Sequence, residues 1–309
     1  MWYRSDVQQL SVRHRGLRLK YMARAVRTSY WKPGDDWLTE IVRRVSGIIR
    51  EGDFLVVSEK AISVATGRVF DESTSKPTFL ARLVAIGWMR VVWGRILGYV
   101  CRLSKVNISR LRQYPPGEGA AHKQLALDQV GFFQALRHGS EGGIDASNLP
   151  FYYVALPLSN AEIEASGIRE RLLADTKNRT TVLVVDSDKT YSLRNFHFGV
   201  RPTSVRSIKC LGLFGYVLGR LLKLTPRSTP LAVVGEKLNA ETALQISAIA
   251  NKVRGSGAGR TAWDAGEAFK VKPHEVTWEM LQSVRHTPIV IVRKTSSYRD
   301  IDNGQRVKG

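Results

Sequence analysis

The sequence predicts an α+β protein with mixed sheets and packed helices. Two apolar runs, at 54–57 and 181–185, have the length and composition of buried strands. From Trp37 onward, apolar residues recur at the three- and four-residue spacing of a helix. Because strands and helices are mixed without the regular spacing of βαβ units, the pattern favours α+β over a doubly wound parallel fold.

The other elements are predicted from turn-forming and helix-capping residues and from local apolar patterns. A turn at 32–36 precedes the helix at Trp37, and Asp35 or Asp36 is suited to cap that helix. Proline and glycine at 107–119 indicate a loop or lid. The remaining predictions, in chain order, are a strand at 61–65, helices at 77–103, a helix at 120–136, a strand at 151–156, a helix at 160–174 and strands at 196–200 and 288–292.

The composition is that of a globular protein, with 43% hydrophobic and 24% charged residues, so a disordered chain is excluded. Cys101 and Cys210 are the two cysteines, which excludes a disulfide framework and argues against a structural zinc site. Reduced cysteines and an N-terminal segment without an apolar signal core predict a cytoplasmic protein.

The charge is strongly positive, because 47 Lys and Arg against 27 Asp and Glu leave +20. Such a field attracts nucleic acid, nucleotide phosphates or an acidic membrane surface. The basic segment before Tyr30 is either a solvated edge strand or an arm that faces RNA or phosphate. The most apolar stretch, 79–101, is interrupted by three arginines, which predicts an amphipathic or buried helix rather than a membrane span.

Two carboxylates follow apolar or glycine-rich runs. Asp145 comes after Gly142 and Gly143, and Asp186 comes where the strand pattern 181–185 stops. Hard oxygen ligands of this kind suit Mg²⁺ or Mn²⁺ that also binds phosphate. The alternative makes Asp145 an Asx-turn residue and Asp186 a strand-end cap.

Four motifs then occur in an order that resembles the coenzyme F-420-0:L-glutamate ligase family, also called F-420 gamma-glutamyl ligases. The resemblance is good over 28–71 and 138–186 and looser elsewhere. The four motifs are Lys-Pro-Gly-Asp-Asp at 32–36, Gly-Asp-Phe-Leu-Val-Val-Ser-Glu-Lys at 52–60, Gly-Arg-Val at 67–69 and Gly-Ile-Asp-Ala-Ser-Asn at 143–148.

The resemblance implies an intertwined homodimeric enzyme that uses GTP, Mg or Mn and often K. Such an enzyme activates a small-molecule carboxylate as an acyl phosphate and joins it to L-glutamate. It also implies one catalytic domain over 1–295, of one unit or two subdomains, followed by a flexible tail at 296–309.

The resemblance also implies site residues by position. The implied metal ligands are Asp145, Asp186 and Ser187, the last of which is normally Thr. The implied nucleotide contacts lie in four places along the chain: Thr28, Ser29 and Tyr30; Glu59 and Lys60; Asn148; and Arg254, Gly255, Ser256, Gly257, Ala258 and Gly259 in a late glycine-rich loop.

Three departures from the family pattern indicate a divergent archaeal-type paralogue. Val64 stands where the family usually has a nucleotide-contacting lysine, and Ser256 stands where it has an acidic or amide metal ligand. The Gly-Arg-Pro-like segment after the second aspartate is replaced by 188–194. Within that replacement, Asp188 and Lys189 are either catalytic substitutes, a carboxylate for metal and an ammonium for phosphate, or a surface ion pair.

The arginines that follow, Arg194 and Arg201, are either clamps for an anionic substrate or solvated cations. An alternative function remains beside the ligase: a catalytically altered paralogue that binds nucleotide or RNA. Val64 and Ser256 favour that alternative, whereas the retained Asp145 and Asp186 favour the ligase.

Overall fold

The structure is a computed structural model that describes residues 7–14 and 17–295, with side chains from Tyr21 onward. The predicted tail at 296–309 lies outside the described residues. The strands are β1 Val7–His14, β2 Leu17–Thr28, β3 Phe54–Ser58, β4 Val69–Asp71, β5 Tyr153–Ala155, β6 Thr181–Leu193, β7 Phe196–Gly199, β8 Ile208–Cys210, β9 Arg227–Val234 and β10 His286–Thr295.

The helices pack on both faces of the sheet and at one end of it. They are α1 Trp37–Val45, α2 Glu59–Ala65, α3 Phe79–Val100, α4 Lys105–Arg112, α5 Glu118–Val130, α6 Phe132–Ala135, α7 Ala161–Thr176, α8 Gly212–Leu221, α9 Ala240–Arg254, α10 Ala262–Phe269 and α11 Trp278–Gln282. Asp36 caps α1 as predicted, because its carboxylate accepts the Thr39 N–H at 3.1 Å.

The main sheet has the strand order β1-β2-β10-β3-β6-β7-β8, with β9 also paired to β6. Its centre is parallel, since β3 and β6 run in the same direction with Val57 opposite Val184. The two strands of a second sheet, β4 and β5, pair antiparallel. The mixed strands and packed helices confirm the α+β prediction.

Both faces of the main sheet are buried, which explains the continuous apolar runs in β3 and β6. Leu55 and Val57 pack on one face against α1, α2 and α7. Phe54 and Val56 point to the other face and pack against α9. A separate apolar cluster lies where α3 meets α8, around the fully buried Met89 and Trp93.

Three local predictions were wrong. Residues 61–65 belong to α2 rather than to a strand, because nearly every side chain of that helix is buried and an all-apolar run does not reveal its period. The predicted loop or lid at 107–119 is confined to 113–117, because 107–112 belong to α4, whose N-cap Ser104 accepts the Asn107 N–H at 3.2 Å, and α5 begins at Glu118. Strand β6 does not stop at Asp186 but continues to Leu193, because β7 and β9 pair with its second half.

Candidate functional site

A bulge in β6 positions the second predicted carboxylate. In the pairing with β9, Asp186 lies opposite Thr229, whereas Lys189 lies opposite Ser228. Ser187 and Asp188 are therefore extra residues on the bulged strand. Because Ser58, the last residue of β3, lies opposite Val185 in β6, the bulge lies beside Glu59, the first residue of α2.

Arg201 joins these two elements in a buried ion-pair network. Its Nη1 donates to Glu59 Oε2 at 2.6 Å and to Asp186 Oδ2 at 2.7 Å, and its Nη2 donates to Glu59 Oε1 at 2.9 Å. All three side chains are buried, so Arg201 is not a solvated cation. Its Nε is also buried and has no hydrogen-bond partner among the described residues.

The two carboxyl groups of this network titrate differently. Burial and, to a smaller extent, the charge of Asp186 raise the pKa of Glu59 to about 7 against the opposing effect of Arg201. Burial would also raise the pKa of Asp186, but the Arg201 guanidinium outweighs burial and holds that pKa below its usual value. Asp186 is thus the ionised member of the pair at neutral pH.

Asp145 reaches the same region through a glycine turn. Gly142 and Gly143 have φ of 59° and 106°, a backbone that side chains disfavour. A Cβ on Gly143 would lie 2.3 Å from Arg201 Nη1, so glycine is required for the turn to pack on the guanidinium. The turn therefore places Asp145 close to the group that binds Asp186.

Lys60 pairs with Asp145. Lys60 Nζ lies 3.1 Å from Asp145 Oδ2 and donates to Ser147 Oγ at 2.6 Å. Burial lowers the pKa of Lys60, and both Asp145 and Asp186 oppose that shift. Lys60 therefore pairs with Asp145 and is also influenced by the charge of Asp186, and the convergence of the two carboxylates on one cation stays a prediction. Asp145 also forms the alternative Asx turn, since the Ser147 N–H donates to its Oδ1 at 2.8 Å.

Asn148 holds the late glycine-rich loop, which connects α9 to α10. Its Nδ2 donates to the carbonyl of Gly259 at 2.7 Å and to that of Ser256 at 3.2 Å, and its Oδ1 accepts the Ala258 N–H at 2.7 Å. Gly257 packs against the same amide. The side chain of Asn148 is thus engaged with the loop, and a direct contact to nucleotide stays a prediction.

Arg254 ends α9 just before this loop. Its Nη2 donates to Asn251 Oδ1 at 2.9 Å. Burial lowers the pKa of Arg254, and Asp186 and Asp145 oppose that shift. Arg254 is therefore a third cation close to both carboxylates. Gly255 follows it at φ 77° with open space around its Cα.

Of the predicted nucleotide contacts Thr28, Ser29 and Tyr30 at the end of β2, Tyr30 contacts another predicted site residue. The Tyr30 hydroxyl donates to the carbonyl of Asn148, and burial followed by the charge of Asp145 raises the pKa of Tyr30. Ser29 instead turns to Glu40, to which its Oγ donates at 2.8 Å. Thr28 Oγ1 lies 2.8 Å from His286 Nδ1. Roles for these residues in nucleotide binding stay predictions.

Asp188 and Lys189 do not form a surface ion pair. Asp188 is buried and receives both guanidinium nitrogens of Arg137, each at 3.2 Å. Burial raises the pKa of Asp188 against the effect of Arg137. Within the described part of the chain, the Lys189 ammonium has no hydrogen bond or ion pair, and burial lowers its pKa while Asp188 and Asp186 oppose that shift.

Sequence reasoning missed Arg137 and the acid–base cluster next to it. Lys123 Nζ donates to the Arg137 carbonyl at 2.7 Å and pairs with Glu141, which also lies 3.0 Å from His122 Nε2. This cluster anchors the start of the glycine turn, since Glu141 directly precedes Gly142. No local pattern marks these residues, because their partners are brought together only by the fold.

The His122 pair predicts a pH dependence of stability. Burial would lower the pKa of His122, but Glu72 and Glu141 raise it from 6.5 to about 10. The resulting stability is present below pH 6.5 and is lost as pH rises through about 10. We expect the free energy of unfolding to fall by up to roughly 5 kcal/mol over this range, measured by urea denaturation, because each unit of pKa difference corresponds to about 1.4 kcal/mol. A His122→Gln variant should lose this decline, and an unchanged decline would contradict the assignment.

The donor set allows a divalent cation but not a closed protein cage. Among residues 21–295, no group of three or more His, Cys, Asp or Glu side chains is arranged to hold a metal ion. Asp145 and Asp186 offer hard carboxylate oxygens close together, and Ser187 follows on the bulge. Mg²⁺ and Mn²⁺ commonly take one or two carboxylates and complete their shell with phosphate and water.

These observations define a class of protein. It is an α+β protein whose candidate site lies where β3 ends beside the bulge of β6, and in this site carboxylates are paired with Lys and Arg. Such an arrangement suits ligands that carry phosphate or carboxylate groups.

Comparison with known proteins agrees with this class. The family model described as F420-0:Gamma-glutamyl ligase matches residues 25–261, and the chain belongs to that family. It is also 32% identical over 288 residues to the uncharacterized protein MJ1361 of Methanocaldococcus jannaschii, which covers 89% of this chain and 97% of that protein. The predicted family is confirmed, and membership points to a ligase with small-molecule substrates such as F-420-0 and glutamate.

Proposed function

We propose that this chain is a GTP- and divalent-metal-dependent ligase that forms an amide bond between a small carboxylate of the F-420-0 class and L-glutamate. The observation that supports the proposal is that Asp145 pairs with Lys60, while Asp186 pairs with Arg201, whose guanidinium packs against Gly143 in the turn before Asp145. In a site of this composition, ionised carboxylates and cations lie where phosphate charge has to be neutralised.

The reaction proceeds in two balanced steps. The substrate carboxylate attacks the γ-phosphorus of GTP, which forms an acyl phosphate and releases GDP. The amine of L-glutamate then attacks the acyl carbon and forms the amide bond. The bond between the acyl carbon and the phosphate oxygen breaks, and inorganic phosphate and a proton from the amine are released. Neither step requires a covalent intermediate on the protein.

The proposal assigns roles to the chain's own groups. Asp145, Asp186 and Ser187 would hold Mg or Mn, which neutralises phosphate charge when bound. The unpaired Lys189 ammonium and Arg254 are suited to orient phosphate oxygens, because both are largely buried cations beside Asp186. A potassium ion is included in the proposal only because the family resemblance implies it.

Lys60 accounts for the departure at position 64. Val64 is buried against Leu149 and Ala155, one helical turn after Lys60 in α2. Residues four apart lie on one face of a helix. Lys60 therefore presents an ammonium from the face on which the family usually carries its lysine.

The test is a reconstituted reaction. We expect GDP, phosphate and an amide product, identified by mass spectrometry, when GTP, Mg²⁺ or Mn²⁺, F-420-0 and L-glutamate are all present. Omission of any one component should abolish the product, and ATP in place of GTP tests the base preference. Absence of turnover together with tight, steeply salt-dependent RNA binding would reject the ligase in favour of the RNA-binding paralogue.

The homodimer and the cytoplasmic location also stay proposals that rest on the family. Sedimentation velocity of the purified chain tests the first: a monomer across the working concentration range would contradict it. Fractionation of the native cells tests the second.

A further inference from the structure

Helices α3 and α8 both expose large apolar side chains to solvent. They pack against each other through the cluster around Met89, Trp93 and Leu213, and Arg220 Nε of α8 donates to the Cys101 carbonyl at 2.9 Å. Their outer sides leave large apolar residues in solvent, with Phe79 82% and Phe214 70% exposed. We call this the α3–α8 surface; its other exposed members include Ile86, Val91, Ile96 and Leu221.

The exposed residues of α3 lie along one face. The middle of α3, Val84–Leu97, is a π-helix. Its exposed positions 82, 86, 91 and 95–96 recur every four or five residues, which is the period of such a helix. Cations and apolar residues therefore share this face, since Arg82 and Arg95 alternate with Ile86, Val91 and Ile96.

The charged residues of the two segments that contain these helices are all basic. No Asp or Glu occurs between Glu72 and Glu118, the stretch that contains α3, or between Asp188 and Glu236, the stretch that contains α8. Exposed Arg82, Arg95 and Lys223 lie in these two stretches. Large exposed apolar residues interspersed with cations mark an interaction site rather than ordinary solvent-facing surface.

We propose that the α3–α8 surface binds the face of an anionic lipid bilayer, with both helices lying in the interfacial region. Apolar side chains enter the boundary between headgroups and acyl chains, and arginines and lysines pair with anionic headgroups. This surface is distinct from the site at Asp145 and Asp186, and the inference does not depend on the proposed ligase activity.

A membrane span by α3 does not fit the structure. The helix is long and apolar enough to cross a bilayer by length and composition alone. However, Met89 and Trp93 are fully buried against the rest of the protein, and Trp93 Nε1 donates to the Leu136 carbonyl at 2.7 Å. A helix fixed along one side in this way can lie on a bilayer but cannot enter it alone.

A second copy of the chain fits this surface less well than lipid does. In a twofold contact the same patch meets itself, so Arg82, Arg95 and Lys223 would meet like charges. The two acid-free stretches offer no carboxylate to pair with them. An anionic bilayer supplies the complementary charge and accepts the apolar side chains as well. RNA would supply the charge but would leave Phe79 and Phe214 in water.

The experiment is vesicle flotation of the full chain. We expect it to float with vesicles of phosphatidylcholine mixed with phosphatidylglycerol, and to stay at the bottom of the gradient with phosphatidylcholine alone. Binding should weaken in high salt, because exposed charges are screened. Equal binding to neutral and anionic vesicles, or binding to neither, would overturn the proposal.

Matched variants separate this surface from the overall charge. Phe214→Ser and Ile96→Ser should each weaken binding, whereas Ile163→Ser, which removes a 65% exposed isoleucine from α7, should not. Arg95→Gln should weaken binding about fivefold and Arg171→Gln on α7 should leave it unchanged, since each cation near an anionic surface contributes separately. Sedimentation of Phe214→Ser distinguishes the rival: a dimer that becomes a monomer would assign the surface to self-association and overturn the lipid proposal.

Discussion

Replacement of Arg201 by methionine is expected to lower the free energy of unfolding by about 3–5 kcal/mol, because it leaves buried charge unpaired. Arg201 binds Glu59 and Asp186 at 2.6–2.9 Å, and all three side chains are buried. Methionine fills a similar volume but offers no donor to either carboxyl group. Urea denaturation followed by circular dichroism measures the loss.

The raised pKa of Glu59 predicts how the stability of this variant depends on pH. Burial raises that pKa to about 7 in the wild type, and without Arg201 the opposing charge is gone. The variant should therefore recover part of its stability at acidic pH, where Glu59 binds a proton. Arg43→Met serves as the control, since Arg43 is an exposed arginine 3.9 Å from Glu40 and should cost under about 0.5 kcal/mol. A cost for Arg201→Met as small as that of Arg43→Met would mean that water reaches the network.

Replacement of Asp145 by asparagine is expected to reduce GTP turnover at least about 100-fold while the protein stays folded. Asp145 is partly exposed and, among the residues that the structure describes, forms its ion pair with Lys60, so the fold depends on it less than on the buried Asp186. Asparagine keeps an oxygen that can accept the Ser147 N–H, and thus keeps the turn. Production of GDP with the full set of substrates is the measurement.

A matched control for this variant exists in the chain. Asp71 forms the same kind of turn, because its Oδ1 accepts the Ser73 N–H at 2.9 Å, but it lies outside the site, at the end of β4, where it caps the short helix Glu72–Thr74. Asp71→Asn should leave turnover unchanged. If Asp145→Asn turned over GTP at the parental rate, the carboxylate would have no part in phosphate chemistry, and the proposed metal site would be lost with it.

The site was predictable in outline because its two carboxylates follow recognisable local patterns. Gly142 and Gly143 before Asp145, and the apolar run before Asp186, each mark a place where backbone geometry presents a side chain. The cations around them carry no such mark. Arg201 was left open between a clamp and a solvated cation, and its partner Glu59 lies 142 residues away in sequence.

The errors in secondary structure have the same origin. In α2 almost every side chain is buried, so the apolar pattern lost the period that separates a helix from a strand. In β6 the polar residues 186–189 resembled an end of the strand, yet β7 and β9 pair with the chain on both sides of the bulge. Pairing between distant segments is decided by tertiary contacts and not by local composition.

By itself the sequence determined the α+β class, the buried central strands, the family and the strongly positive charge, because each depends on composition, local period or the order of short motifs. Only the tertiary structure decided that Lys60 and Arg201 neutralise the two carboxylates, that Asn148 holds the glycine-rich loop, and that α3 and α8 pack against each other. The physical reason is that ion pairs and exposed surfaces depend on distances between residues far apart in the chain, which no local pattern encodes.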